Sequence, residues 1–300
     1  MENWRNAKAM FAGVGFPPAV WLAFFFVIPL GIVWLYSFGT NTSLTQIEIS
    51  GTFANYARAL DPLYLGIMGK SLVVAAATTV ICLIVGFPVA LAIVFAADKW
   101  KPWLLLAIML PFWTNLLIRT YALMAVLRRE GFANQTLGWL HEDLGGLLPL
   151  VGLPQPGAYE PMELLYNNFA VVFGLVYVHL PFMVLPLYAA LDKLDKSLIE
   201  ASLDLGAGHL RTLLFIVAPL AAPGIISGII ITFVPALGAY LTPDLLGGPD
   251  SQMIANVIER QFKRANDWPF GAALSFLLMY ATFIAIAFQA MKNKQAEARQ

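Results

Sequence analysis

The chain has 300 residues, of which 59% are hydrophobic and only 12% charged, with 18 Lys and Arg against 18 Asp and Glu. Soluble domains carry roughly 25% charged residues, so this composition excludes a soluble globular domain, and apolar content this high excludes a disordered chain. Zero net charge excludes nucleic-acid binding through a basic surface, and the single cysteine, Cys82, excludes a disulfide framework or a thiolate zinc site.

A polytopic membrane protein remains. A helix needs roughly 20 apolar residues to cross about 30 Å of hydrocarbon, and the gaps between charges mark where such helices fit. In chain order, Lys8 to Glu48 encloses 39 uncharged residues and Lys70 to Asp98 encloses 27. Lys101 to Arg128 encloses 26 with one interruption, Arg119. Glu163 to Asp192 encloses 28, Arg211 to Asp244 encloses 32 and Asp267 to Lys292 encloses 24. Each run holds one span, which predicts an all-α integral membrane protein with six transmembrane helices. The first is a retained span rather than a cleaved signal, because Phe16 to Phe38 is too long and no small-x-small pattern follows. A further run of 16 residues between Asp143 and Glu160 is short, is broken by glycines and prolines, and reads as loop.

Orientation follows from Lys and Arg in the loops. With the N-terminus inside, ten basic residues fall in inner segments and seven in much longer outer segments, so both termini are predicted inside. Eleven of the 18 acids lie outside, which leaves the outer face net negative. The inner connection from Asp192 to Arg211 reads as structured, and Arg128 to Glu163 is the longest outer loop.

The inner connection carries the most informative residues. Ser197 with Glu200 three residues on reads as a capping box, and Gly206 reads as a C-terminal stop. The helix between them is about nine residues, or about 13 Å. Leu198, Ala201, Ser202 and Leu205 fall at i, i+3, i+4 and i+7, a narrow stripe that would let another protein approach the backbone. An amphipathic helix lying on the membrane fits the same composition.

The order Glu200-Ala201-Ser202-x-x-x-Gly206-Ala207, followed by Phe215, Ile216 and Pro219, resembles the EAA loop of binding-protein-dependent ABC importer permeases. Ser202 stands where that motif has its second alanine. Met109-Leu110-Pro111-Phe112-Trp113-Thr114-Asn115, Tyr177-Val178-His179-Leu180-Pro181-Phe182 and Leu241-Thr242-Pro243-Asp244-Leu245-Leu246-Gly247-Gly248-Pro249 extend the likeness toward the spermidine/putrescine permeases. The resemblance covers about Lys70 to Met291. It divides the chain into a first span and outer loop (1–69), a permease core (70–291) with the coupling loop at 195–211, and an inner tail (292–300). It implies a type I importer permease fold in a bacterial inner membrane, with Ser197, Glu200, Ala201, Ser202, Leu205, Gly206 and Ala207 seated on an ATPase dimer. It also implies ATP and Mg on that partner, no cofactor in this chain, a second homologous permease and an extracytoplasmic solute-binding protein. A small organic cation, most plausibly a polyamine, is the expected solute. An amino-acid derivative or an anion handled by the same permease class is the alternative.

Other residues leave choices open. Gly224 to Gly228 in the fifth span and Gly86 with Ala90 in the second suit helix packing. Pro88, Pro111, Pro181, Pro186, Pro219, Pro223 and Pro235 would kink or break spans. Trp113, Tyr121, Tyr177 and Tyr240 fit an interfacial belt, or, with Asn115, a solute path for an alkyl-ammonium group. Asp244, near an outer span end, is the expected path-entry contact. His179 fits packing or a proton relay, and His141, His179 and His209 are too dispersed for a metal site. Arg119 lies about 26 Å along a straight helix from the inner end, which suits snorkelling or a structural ion pair against a path-lining role. No Walker A pattern occurs, no acid lies inside a span to couple an ion, and no cluster of His and carboxylates suggests a membrane enzyme.

Overall fold

The computed structural model describes residues 8–43, 46–147 and 157–297. In chain order, α1 (Lys8–Leu22) passes through a π turn (Ala23–Val27) into α2 (Ile28–Tyr36). A hairpin of β1 (Thr40–Asn41) and β2 (Ile47–Glu48) pairs antiparallel, with Thr40 opposite Glu48. Then come α3 (Ala54–Ala59), α4 (Pro62–Phe95), α5 (Lys101–Met109), α6 (Leu116–Leu127) and α7 (Phe132–Leu147). They are followed by α8 (Asn168–Leu191), α9 (Lys196–Asp204), α10 (His209–Thr212), α11 (Ala218–Leu220) and α12 (Ala222–Leu237). The chain closes with α13 (Leu241–Leu246), α14 (Ile254–Lys263) and α15 (Trp268–Glu297).

Every uncharged run contains one apolar helix or helix pair. Three helices are long and apolar enough to cross a membrane singly: Gly13–Tyr36, Pro62–Phe95 and Asn168–Leu191. Two runs hold bent pairs, Lys101–Trp113 with Leu116–Asp143 at 92° and His209–Leu220 with Ala222–Leu237 at 71°. The last holds the shorter apolar helix Trp268–Ile284. The prolines divide by context. Pro111 sits in the 3-10 turn Leu110–Trp113 at the first bend, and Pro219 and Pro223 straddle the second. Pro88, Pro181, Pro186 and Pro235 lie inside helices that continue through them, so these four do not interrupt their spans. The segment after Arg128, expected as an outer loop, is not all loop: Phe132–Leu147 is helical, and of the expected loop between Asp143 and Glu160, residues 148–156 lie outside those described.

Two compact units emerge, Met1–Leu65 with Val257–Gln300, and Gly66–Asn256. In the first, the Trp34 indole donates to the Tyr280 hydroxyl at 2.8 Å and the Ser37 and Tyr56 hydroxyls share a hydrogen bond of 2.7 Å. Arg58 pairs with Asp267 at 2.7 Å while its guanidinium lies 3.9 Å from the centroid of the Phe270 ring. In the second, α8 is the hub. Its Met183, Val184, Leu187 and Leu191 are buried against Cys82, Ala90, Ile93 and Val94 of α4 and against Val217 and Ala221.

Glycine makes that hub possible. A Cβ at Gly224 would meet the Ala190 Cβ and the Pro186 carbonyl oxygen, and one at Gly228 would lie 2.7 Å from the Met183 sulfur. One at Gly86 would lie 3.2 Å from the Met183 Cγ. Both small-residue patterns therefore serve close helix packing, the usual role of such residues where no hydrophobic force drives helices together in lipid.

Candidate functional site

The connection from Asp192 to Arg211 is anchored before it begins. Lys101 at the start of α5 reaches Asp98 at 3.1 Å and Asp192 at 3.3 Å, tying the turn between α4 and α5 to the end of α8. The helix α9 then starts, and its cap is not the expected one. Asp195, not Ser197, is the N-cap: its carboxylate accepts the Ser197 amide at 3.0 Å. That hydrogen bond holds the Asp195 carboxyl below its ordinary range. With the cap at Asp195 the third helical position is Leu198, so Glu200 takes no part in a capping box. Asp195, Ser197 and Glu200 all have side chains a cap can use, and periodicity alone does not choose between starts two residues apart.

The C-terminal stop is as expected. Gly206 has φ +84°, a left-handed conformation that side chains resist. The Gly206 amide donates to the Leu203 carbonyl at 2.9 Å and the Ala207 amide to the Ser202 carbonyl at 3.1 Å. These two bonds form a Schellman motif that satisfies the last carbonyls of the helix.

The two sides of α9 differ. Ile199 packs against the hub of the second unit, and Ile199 and Leu203 line an apolar groove of about 460 Å³ with Leu91, Phe95, Leu213 and Val217. Ser202 lies on this inner side too, with its hydroxyl 3.0 Å from that of Thr212 on α10. Alanine could not make this bond. Ser202 therefore leaves the predicted stripe and fastens the helix to the next element. What remains outward is Leu198, Ala201 and Leu205, with Leu205 88% exposed, beside exposed Ser197, Glu200 and Gly206; Ala207 is half-buried. A helix capped at both ends, pinned by Ser202 and Ile199, presents an unfilled apolar edge. Sequence reading missed Asp195, Lys101, Ile199, Leu203 and Thr212; a search for carboxylates two residues before a helical amide would have found the first.

The expected path residues are spread over three helices and the turn before one of them. Trp113, 76% exposed, ends the 3-10 turn at the first bend, and Asn115 caps α6 by accepting the Leu117 amide at 2.8 Å. Tyr121 on α6, Tyr177 on α8 and Tyr240 at the start of α13 are exposed in this chain. Asp244, exposed on the first turn of α13, belongs to a helix that packs against both α6 and α8. The Tyr240 carbonyl accepts from Asn256 Nδ2 at 2.8 Å, which fixes the entry to α13. His179 is buried, its Nδ1–H donates to the Leu175 carbonyl at 2.8 Å and its ring lies 6.1 Å from Phe182, a packing arrangement. Arg119 lacks the expected structural ion pair: only 9% exposed, it forms none among the described residues, and its Nε and Nη1 are buried without a hydrogen-bond partner.

Comparison with known proteins places this architecture. Residues 10–295 match the family described as binding-protein-dependent transport system inner membrane component. The chain is 40% identical over 258 residues to the spermidine/putrescine transport system permease protein PotB of Escherichia coli (strain K12), covering 86% of this chain and 88% of that one. It is 37% identical over 281 residues to the protein of the same name from Haemophilus influenzae, covering 92% and 93%. Its fold is similar to a chain in the crystal structure of a bacterial ABC transporter involved in import of the acidic polysaccharide alginate, with TM-score 0.71, 14% identity and coverage of 98% and 99%. The chain belongs to the family of binding-protein-dependent inner-membrane permeases and has the type I ABC importer permease fold.

Proposed function

We propose that this chain is one of two permeases lining the path of a polyamine importer, and that α9 couples it to a separate ATPase. Six spans with both termini inside put α9 on the cytoplasmic face. The observation that carries the coupling is the outward edge of Leu198, Ala201 and Leu205 on a helix held rigidly from the other side. Small and apolar exposed groups on a fixed helix allow close seating in a partner's groove. Glu200, Gly206 and Ala207 complete the seat, ATP and Mg belong to the ATPase dimer, and a binding protein delivers the solute from outside.

Spermidine or putrescine as solute is supported by relatives of that name at 37–40% identity over most of both chains. The acidic outer face adds attraction for a polycation. Asp244 is the entry contact, and Trp113, Asn115, Tyr121, Tyr177 and Tyr240 offer aromatic and amide surface to an ammonium chain. The test is uptake by the reconstituted importer from a panel of amines, amino acids, sugars and anions. Competition among polyamines alone is expected, and Asp244→Asn should weaken uptake more at low ionic strength than at high. Import of an anion or a sugar with no response to amines would end the polyamine assignment.

A further inference from the structure

Arg119 is a buried cation that no acid among the described residues of its own chain answers. A guanidinium remains protonated at any physiological pH, so it cannot relieve burial by shedding its proton as a lysine or histidine can. Its Nε and Nη1 lie buried without a partner. The Phe112 ring centroid lies 5.8 Å from the guanidinium carbon, at the outer edge of any cation–π attraction. Asp244 sits on the helix packed against α6, yet it is exposed and makes no ion pair with Arg119 among the described residues.

The surroundings raise the positive potential further. Arg119 is the fourth residue of α6, a twelve-residue helix that begins at the 92° break in the third span. The positive end of the α6 dipole is therefore next to the guanidinium. Helical side chains lean toward the N-terminus of their own helix, and Phe112 lies in the turn before the break, so the guanidinium reaches back to that end. Broken spans with exposed helix N-termini are how membrane transporters build ligand sites.

We propose that the break between α5 and α6 is an anion site, in which Arg119 and the N-terminal end of α6 hold one compact monovalent anion, either a free halide or a carboxylate lent by a second permease chain. Arg119 is the lone charge between Lys101 and Arg128, so one negative charge balances it and a polyanion would overfill it. The apolar wall of Phe112 and Phe182, whose rings meet edge to face at 5.2 Å, suits a small, weakly hydrated ion. The anion is a fixed counter-charge, not the cargo: it removes the repulsion that a bare Arg119 would exert on a passing cation.

The experiment is bromide binding to the intact importer in lipid nanodiscs, together with an experimental structure of the same assembly. Saturable bromide binding that Arg119→Gln weakens about tenfold or more establishes the free-ion form, as expected from losing a charge-assisted hydrogen bond. Absence of bromide binding with a carboxylate of the second permease within hydrogen-bond reach of Arg119 establishes the lent-carboxylate form. Absence of both overturns the proposal, as does bromide affinity unchanged in Arg119→Gln. Should that variant fail to assemble, Arg119→Lys keeps the charge without the planar fork and is expected to bind bromide more weakly than the wild type. Equal affinity there, with bromide located elsewhere, overturns it too.

Discussion

The first and fourth spans are nearly equal in apolar character and opposite in what they touch. Gly13–Tyr36 and Asn168–Leu191 have mean hydropathies of 2.2 and 2.1, yet the first is 0% buried within the chain and the fourth 56%. Hydropathy reports that a segment prefers hydrocarbon to water; it carries no information on whether the hydrocarbon is lipid or protein. The difference lies in the neighbours. The fourth span is met by Gly86, Gly224 and Gly228, which bring two other helices to backbone distance, while Phe16, Trp21, Phe24, Phe25 and Phe26 stand outward on the first. The same contrast recurs on a small scale in α9, where Ile199 and Ser202 face the fold and Leu198, Ala201 and Leu205 face away.

The largest expected effect comes from breaking the packed side. Gly224→Val places a methyl-bearing carbon against the Pro186 carbonyl, where a Cβ has 2.7 Å. It should cost about 3 kcal/mol, the upper range for overpacking, read as loss of folded protein in a detergent-unfolding titration. Phe25→Ala on the open span should cost no more than about 1 kcal/mol in the same titration, because this exposed ring loses only its contacts with the rings of Trp21 and Phe24. Equal losses at the two positions would show that the contrast between the spans is not real.

Gly206 tests the end of α9. At φ +84° a β-branched side chain is strained whatever the space around it. Gly206→Val should open the last turn at a cost of about 1–2 kcal/mol, whereas Gly206→Asn should cost less because asparagine tolerates the left-handed region. Proteolysis of the 192–211 segment in the assembled importer distinguishes the two. Identical digestion of both variants would mean that the Schellman stop does not hold the helix.

The smallest effect concerns Asp195. In the folded chain its carboxyl titrates below the ordinary aspartate value, because of hydrogen bonding first from the Ser197 backbone and then from its side chain. The stabilisation it gives α9 is therefore complete above the unfolded value and is lost as pH falls through the folded one. Hydrogen exchange at the Ser197 amide should rise in Asp195→Ala at neutral pH and show no such rise in Ser197→Ala, since the cap accepts from a backbone amide. The reverse ranking would restore Ser197 as the cap.

Much of this arrangement was legible in the residues. Each gap between charges holds an apolar helix or a bent helix pair, and Gly206 with the residues before it located α9. What stayed hidden depends on direction in three dimensions. Arg119 was placed near an outer boundary by counting 1.5 Å per residue along a straight helix, and the 92° break at Leu110–Asn115 invalidates that count. Ser202 and Ala201 are adjacent in the motif and equally small, yet only Thr212, ten residues on, determines which turns inward. Helix α7 was hidden because the whole stretch from Arg128 to Glu163 read as an outer loop between spans.

The central claim is that the outward edge of α9 seats the ATPase, and Leu205 tests it most directly. The residue is 88% exposed, so Leu205→Glu leaves the chain's own packing untouched. The measurement is the affinity of the separately purified ATPase for the permease assembly in nanodiscs. A drop of about tenfold or more, the mark of a buried interface anchor, is the predicted result, with solute uptake falling in parallel. Unchanged affinity together with unchanged uptake per ATP hydrolysed would contradict the assignment of α9 as the coupling element.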